Sequence, residues 1–456
     1  MIRAILHSAA RLPASFLPGA LPAMSRANYV WELRAAMLVP AAIACVEGNV
    51  VGVIASKTFI RDGMPAWTGY AVAALASAGS LGLLTSALWS GLFHGRDRVR
   101  CTNALQIGVA ACVLAIAFLP VSLGGLLGLV ALTLAARALV TGILTARSDI
   151  WRANYPRTQR GFAVGRLAVV TATIMSFTGL IIAVVMDAPA LDHQGFRIVY
   201  AACAAAALIG AWAFSHVRWR GRGEHLARER DDSEDGPGFP GPRAMLRVLR
   251  DDKNYRKFMI AQFLLGAPNL AATPLFILAL KDQYTLGYTP SIVLTHFIPV
   301  IVATLCIPMW SRLLDRVHIV HFRAYHSWTF VLANALMGLG FLTSSMPLLV
   351  ASRIVLGLGI GGGMLAWELG HHDFASRQMA SLYMGIHATL TGIRGLIAPF
   401  LFTFVYLRLN AAYPAPAHGD AAPSAGVWTF FVLTAIGVFA AMQFVRMHAK
   451  IRASAA

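Results

Sequence analysis

Charge is scarce in this chain. Of its 456 residues only 13% are Asp, Glu, Lys or Arg, and no more than 20 are acidic, whereas a soluble domain carries about 25% charged residues to keep its surface wet. That shortfall excludes an ordinary soluble globular protein. Strict apolar/polar alternation is also missing, which argues against a membrane β-barrel. The five cysteines, Cys45, Cys101, Cys112, Cys203 and Cys306, lie in or at the ends of apolar runs without paired spacing. They read as small core hydrophobes, with neither a disulfide framework nor a zinc site behind them. No nucleophile elbow, Walker loop or zinc-protease motif stands at a plausible place. Enzymatic chemistry and a bound cofactor are therefore not expected, nor is ATP-driven work by this chain alone.

Long apolar runs fill the space that charge vacates. Hydrophobic residues make up 57% of the chain, and mean hydropathy is +0.64. The runs reach 18 residues or more, the length of a membrane-crossing helix. They predict an all-α, polytopic protein with twelve spans: Ala35 to Ser56, Trp67 to Phe93, Cys101 to Leu119, Gly125 to Arg147, Ala163 to Met186, Phe196 to Phe214, Phe258 to Leu280, Pro290 to Trp310, Ala324 to Thr343, Leu348 to Gly370, Ser381 to Tyr406 and Val427 to Val445. The formal charge of +18 is concentrated in alternate turns, Arg96 to Arg98, Arg152 to Arg160 and Arg312 to Arg323. The positive-inside rule puts those turns and both termini in the cytoplasm. The basic excess thus orients the chain in a lipid bilayer, and nucleic acid is not an expected partner. The compact loops and Ala/Arg-rich composition point to a bacterial inner membrane, and a monomer is expected. Residues 1–34 read as a cytoplasmic tail in which Met24 is an alternative start.

Residues 215–257 divide the spans six and six. Glu229 to Gly241 is acidic and then Gly/Pro-rich, a flexible linker. Pro242 to Arg250 carries Met245, Leu246 and Leu249 among arginines, the pattern of a short amphipathic helix on the inner leaflet. The expected units are an N-terminal bundle over 35–214, a C-terminal bundle over 258–446 and a tail over 447–456. The halves repeat weakly. Asn28-Tyr29 matches Asn254-Tyr255, Trp89-Ser90 matches Trp310-Ser311, and Arg137 matches Arg353. Parallel six-helix repeats are one transporter architecture.

On these features the chain resembles the major facilitator superfamily from Asn28 to Arg446. The resemblance rests on L-R-V-L-R-D-D-K-N-Y-R-K-F entering the seventh span, S-R-L-L-D-R after the eighth and R-I-V-L-G-L-G-I-G-G-G in the tenth. No motif identifies a subfamily. The resemblance implies secondary active transport of a small solute by alternating access, with spans 1, 4, 7 and 10 lining a central cavity.

Charges inside spans are the candidate working parts, because each costs roughly 2.5–3.5 kcal/mol at mid-membrane depth and is normally turned to a polar interior. Glu47, buried in the first span, is the candidate proton carrier, since desolvation raises a carboxyl toward neutral pH. An ion pair with an arginine across the bundle is the structural alternative. The resemblance makes Arg137 a candidate for proton coupling or for helix packing. Arg353 lies near enough to the outer end to snorkel. Arg394 sits in T-G-I-R-G, where Gly392 and Gly395 clear room for a close neighbour. His387, seven residues earlier, shares its face. Together they suit a carboxylate- or phosphate-bearing solute, or equally a structural pair with Glu47 or Glu368. Asn49 and Asn269 are candidate cavity amides, and Pro268 and Pro274 predict a break in the seventh span.

The turn after the eighth span keeps Asp315 and Arg316, which the resemblance makes part of a cytoplasmic gate. The first copy has His94 where the acid belongs, with Asp97-Arg98 nearby. Glu368 and Arg377, within W-E-L-G-H-H-D-F-A-S-R (Trp367 to Arg377), extend the candidate gate. Glu368, His371, His372 and Asp373 also admit a metal-handling reading. A transporter-like sensor or assembly partner that moves nothing is a third possibility. The solute is open, with a lean to organic anions.

Overall fold

The computed structural model describes residues 16–61, 63–231, 242–376, 379–413 and 423–455, and none of them is in a strand. The first half comprises α1 (Ala23–Cys45), α2 (Gly48–Ile54), α3 (Gly69–Leu83), α4 (Ser86–Phe93), α5 (Arg98–Ala117), α6 (Leu123–Asn154), α7 (Arg157–Met186) and α8 (Gly195–Phe214). Two linker helices follow, α9 (Arg222–Asp231) and α10 (Pro242–Asp251). The second half holds α11 (Lys253–Gln283), α12 (Tyr288–Ile292), α13 (Ile298–Leu314), α14 (Ile319–Leu342), α15 (Met346–Leu369), α16 (Ala380–Ala412) and α17 (Trp428–Ala455).

Among the described residues nine helical stretches are long and apolar enough to cross a membrane, ten if the bent α1–α2 pair is one span. Two further elements complete twelve. The α3–α4 pair is split at Leu84–Thr85, and α14 places Arg323, His326 and Asn334 at buried positions that lower its hydropathy. The first helix begins at Ala23, so part of the expected tail is helical.

The break at mid-depth falls in the first span, whereas the prolines predicted one in the seventh. Pro268 and Pro274 lie within a continuous α11, while α1 and α2 meet at 44° around Glu47, whose backbone is extended. The cause is a close crossing. A Cβ at Gly48 would lie 2.7 Å from the Ala76 Cα and 2.8 Å from the Leu75 carbonyl oxygen, so the chain reaches α3 only without a side chain. The break frees the Cys45 carbonyl, and the buried Tyr200 hydroxyl of α8 donates to it at 2.7 Å. A freed backbone group in lipid needs such a partner.

Within the first half α1 packs on α7 and α8, and α5 on α6 and α8. In the second, α14 packs on α15 and α17, and α11 on α16 and α17. Gly357 and Gly361 bring α15 against Val302 and Ala303 of α13, the close packing its glycine series predicts. The helix stays unbroken. Helix α10 forms as expected, but Met245 and Val248 dock into the core of the second half, leaving Leu246 exposed.

The halves meet along α3 with α16 and α7 with α12, where Gly392 and Gly395 of α16 admit Leu84 and Ser80. Their mutual hydrogen bonds gather at the end remote from the arginine turns. Lys57 Nζ donates to the Leu286 carbonyl, Lys281 Nζ to the Ile60 carbonyl at 2.8 Å, and Thr58 Oγ1 meets the Tyr288 hydroxyl at 2.9 Å. The Asp187 carboxylate accepts from the Tyr288 and Thr289 backbone N–H groups at 2.7 and 2.6 Å. Among the described residues no comparable bond joins the two bundles at the arginine-rich end.

Candidate functional site

A cavity of about 480 Å³ runs from mid-depth toward the arginine-rich end. The second half supplies most of its wall: Gln262 and Asn269 from α11, Arg323 and Phe330 from α14, Met364, Trp367 and Glu368 from α15, Arg394 from α16. Asn49 represents the first half. Thr295 Oγ1 donates to the Asn49 carbonyl at 3.0 Å, tying the halves together at the cavity's deep end.

Arg394 is 7% exposed. Its Nη1 donates to the Gln262 carbonyl at 2.8 Å and its Nη2 to Thr391 Oγ1 at 3.3 Å, while its Nε has no protein acceptor. Gly266 makes that position possible, because a Cβ there would collide with the guanidinium. Neither Glu47 nor Glu368 pairs with it. His387 is buried behind the wall, its ring 5.7 Å from that of Trp367. Asn269 lines the cavity with an unpartnered Oδ1.

Glu47 instead meets Arg137, with Oε2 2.8 Å from Nη1 and both side chains partly exposed, 25% and 17%. A Cβ at Gly79 would stand 2.7 Å from Arg137 Nη2, so α3 keeps the space the guanidinium occupies. Arg353, the matching residue of the second half, is buried and does not snorkel. It lies 3.9 Å over the Phe276 ring and donates to Ser352 Oγ and Met337 Sδ.

The gate candidates are dispersed. Asp315 and Arg316 are exposed at the end of α13, and among the described residues neither forms an ion pair. Glu368 stands on the cavity's open side. Arg377 lies outside the described residues. The degraded first copy holds the stronger contacts: Arg98 Nε is 3.1 Å from Asp149 and its Nη2 meets Glu229 of α9, while Asp97 caps α5 and pairs with Arg222 at 3.0 Å. The His371 and His372 rings lie 4.1 Å apart, tilted by 36°, and the Asp373 carboxylate accepts from the Ile319 N–H at 2.6 Å. No group of three metal-ligating side chains converges among the described residues, which leaves the metal reading without a site.

Two buried charges escaped the sequence reading. Glu32, placed in a tail, is fully buried and accepts from Trp151 Nε1 at 2.7 Å and the Tyr155 hydroxyl at 2.9 Å, with Arg147 3.6 Å away. Arg323, placed in a turn, lies inside α14 with its Nη1 3.2 Å from His326 Nδ1. The three-residue spacing of Arg323 and His326, which puts both on one helical face, was the available signal. At the sealed end, burial pushes the Asp187 carboxyl up, but hydrogen bonds from Thr289 and Tyr288 and the Lys57 charge outweigh it and leave the carboxyl below its ordinary value.

No protein-family model matches the sequence, and no curated protein matches it. Solved structures do. The chain superposes on the nucleoside transporter NupG with a TM-score of 0.67 at 14% identity, covering 92% of this chain and 99% of that one. A D-xylose-proton symporter gives 0.64 at 15%, covering 91% and 96%. A bacterial homologue of the human lysosomal transporter Spinster, inward-facing and occupied, gives 0.64 at 12%, covering 92% and 96%. The chain has the twelve-helix fold of major facilitator transporters.

Proposed function

We propose that this protein is a secondary active transporter that moves a small solute, with a lean to organic anions, by alternating access coupled to protons. The observation that carries the reading is the cavity. It draws Asn49 from one half and Asn269, Gln262 and Arg394 from the other, and cross-half bonds seal one end beyond it. With the arginine turns in the cytoplasm, that geometry is an inward-facing state of an inner-membrane protein whose termini are cytoplasmic. Residues 35–214 and 258–446 are the units that rock.

Glu47 and Arg137 are the coupling pair. Protonation of Glu47 removes the negative half of its ion pair and leaves the Arg137 guanidinium a weaker bond to a neutral acid, and it does so at the break two residues from Asn49. That frees the first span to change its angle when the halves move. Arg394, Asn49 and Asn269 contact solute, and His387 holds Trp367 in place from behind. Asp315, Arg316, Glu368 and Arg377 close the cytoplasmic end in the opposite state. Among the described residues Asp315, Arg316 and Glu368 form no ion pair, which fits a parted gate.

Purified protein in liposomes, screened across solutes with and without a pH gradient, tests this. Gradient-driven uptake is expected, and Glu47→Gln should abolish the gradient's effect while leaving solute exchange. Wild-type gradient dependence in Glu47→Gln would remove the coupling assignment. No uptake or exchange of any solute would remove the transport reading.

A further inference from the structure

The second half gathers positive charge around the cavity without matching it. Arg323 is 2% exposed and Arg394 7%, both border the same cavity, and among the described residues neither has a carboxylate partner. Each leaves its Nε without a protein acceptor. A guanidinium withdrawn from water costs several kcal/mol unless an anion or a full set of acceptors compensates it, and charges kept inside spans mark substrate paths. Of the lining residues only Glu368 is a carboxylate. It sits on the open side and pairs with neither arginine. His326 touches Arg323 through Nδ1 but gives its Nε2 to the Gly359 carbonyl at 2.8 Å, so it brings no negative charge.

We infer that Arg323 and Arg394 form an anion subsite for the carboxylate head of an amphipathic organic acid, whose apolar body lies against Phe330, Met364 and Trp367. The inference rests on the transport reading and names its substrate class. Arg394 already commits hydrogens of both Nη atoms to Gln262 and Thr391, and Arg323 commits Nη1 to His326. The free N–H groups suit a two-oxygen head better than a phosphate, which presents three oxygens to satisfy. The apolar share of the wall requires a hydrocarbon body to exclude water around that head.

The test is equilibrium binding to the detergent-purified full chain by titration calorimetry, with no gradient or liposome present. The probes are benzoate and hexanoate, their uncharged amides benzamide and hexanamide, and inorganic phosphate. At least one carboxylate should bind saturably, each at least tenfold tighter than its amide and tighter than phosphate. Arg323→Gln and Arg394→Gln should each weaken it about tenfold or more, the loss expected for one charge-assisted contact. Arg→Lys at the same positions should recover part of the affinity, which guards against a variant that merely misfolds. Amides binding as well as acids, phosphate binding tighter than both carboxylates, neither acid binding the wild type, or wild-type affinity in folded Arg323→Gln overturns the subsite. Carboxylate binding with no uptake or exchange of any solute in liposomes would leave the subsite standing and sink the transport reading. Uptake of neutral solutes without carboxylate binding would do the reverse.

Discussion

Three arginines of the first half meet carboxylates: buried Arg98 meets Asp149, half-buried Arg137 meets Glu47, and half-buried Arg147 approaches Glu32. In the second half Arg323, Arg353 and Arg394 are all buried, and none has an acidic partner among the described residues. They rest on carbonyls, hydroxyls, a thioether sulfur and an aromatic face. The difference is not one of helix packing, since corresponding spans pack in corresponding ways. On the proposed function the halves have unlike electrostatic tasks. A paired charge can be switched by one proton, whereas an unpaired one is held ready for a charge that comes from elsewhere.

The largest effect should follow from breaking a pair. Arg137→Gln leaves Glu47 without a counterion at a break in the first span. Losing one partner of a fully buried pair costs about 3–5 kcal/mol. Both side chains keep some exposure here, so a loss of about 1–3 kcal/mol in thermal or denaturant unfolding is expected. Adding Glu47→Gln should recover part of it, and the double-mutant cycle reads the coupling directly. A cycle with no coupling would make the first half's pairing a geometric accident. Arg353→Met should behave otherwise. It forfeits a cation–π contact worth about 1–2 kcal/mol but also lifts the desolvation cost of an unpaired cation, so stability should change by less than about 1 kcal/mol or rise. A loss as large as that of Arg137→Gln would erase the contrast between the halves.

The twelve spans were legible because length and apolarity in lipid leave few alternatives. The pairing inside them was not. Glu47 and Arg137 are ninety positions apart, and only the crossing of α1, α3 and α6 brings them together. Proline content pointed to a break in α11, yet proline within a helix buried among neighbours is tolerated. The real break came from Gly48, whose meaning depends on Ala76 across the interface. Arg323 and Glu32 were misplaced for one reason: a hydropathy window trims charged residues from span ends, and both helices extend past their apolar cores. Arg394 was recognisable because it interrupts an apolar run at its middle, where no window can trim it.

A test at the sealed end separates coupling from closure. Asp187 accepts two backbone N–H groups of the opposite half, and its carboxyl is held below its ordinary value in the sealed state. Stabilisation from such a group is fully present above the ordinary carboxylate range and is lost as pH falls through the depressed value. Between about pH 5 and 8 Asp187 therefore stays charged and adds no pH dependence of its own. Asp187→Asn gives up one charged acceptor, worth roughly 1–2 kcal/mol. It should shift the population toward the outward-open form, seen as faster labelling of a cysteine introduced at Asn49 from outside. The rate of uptake should change severalfold while the midpoint of its pH profile stays where the wild type has it. A displaced midpoint would make the seal itself a titrating element, and Glu47 would no longer be the place where protons act.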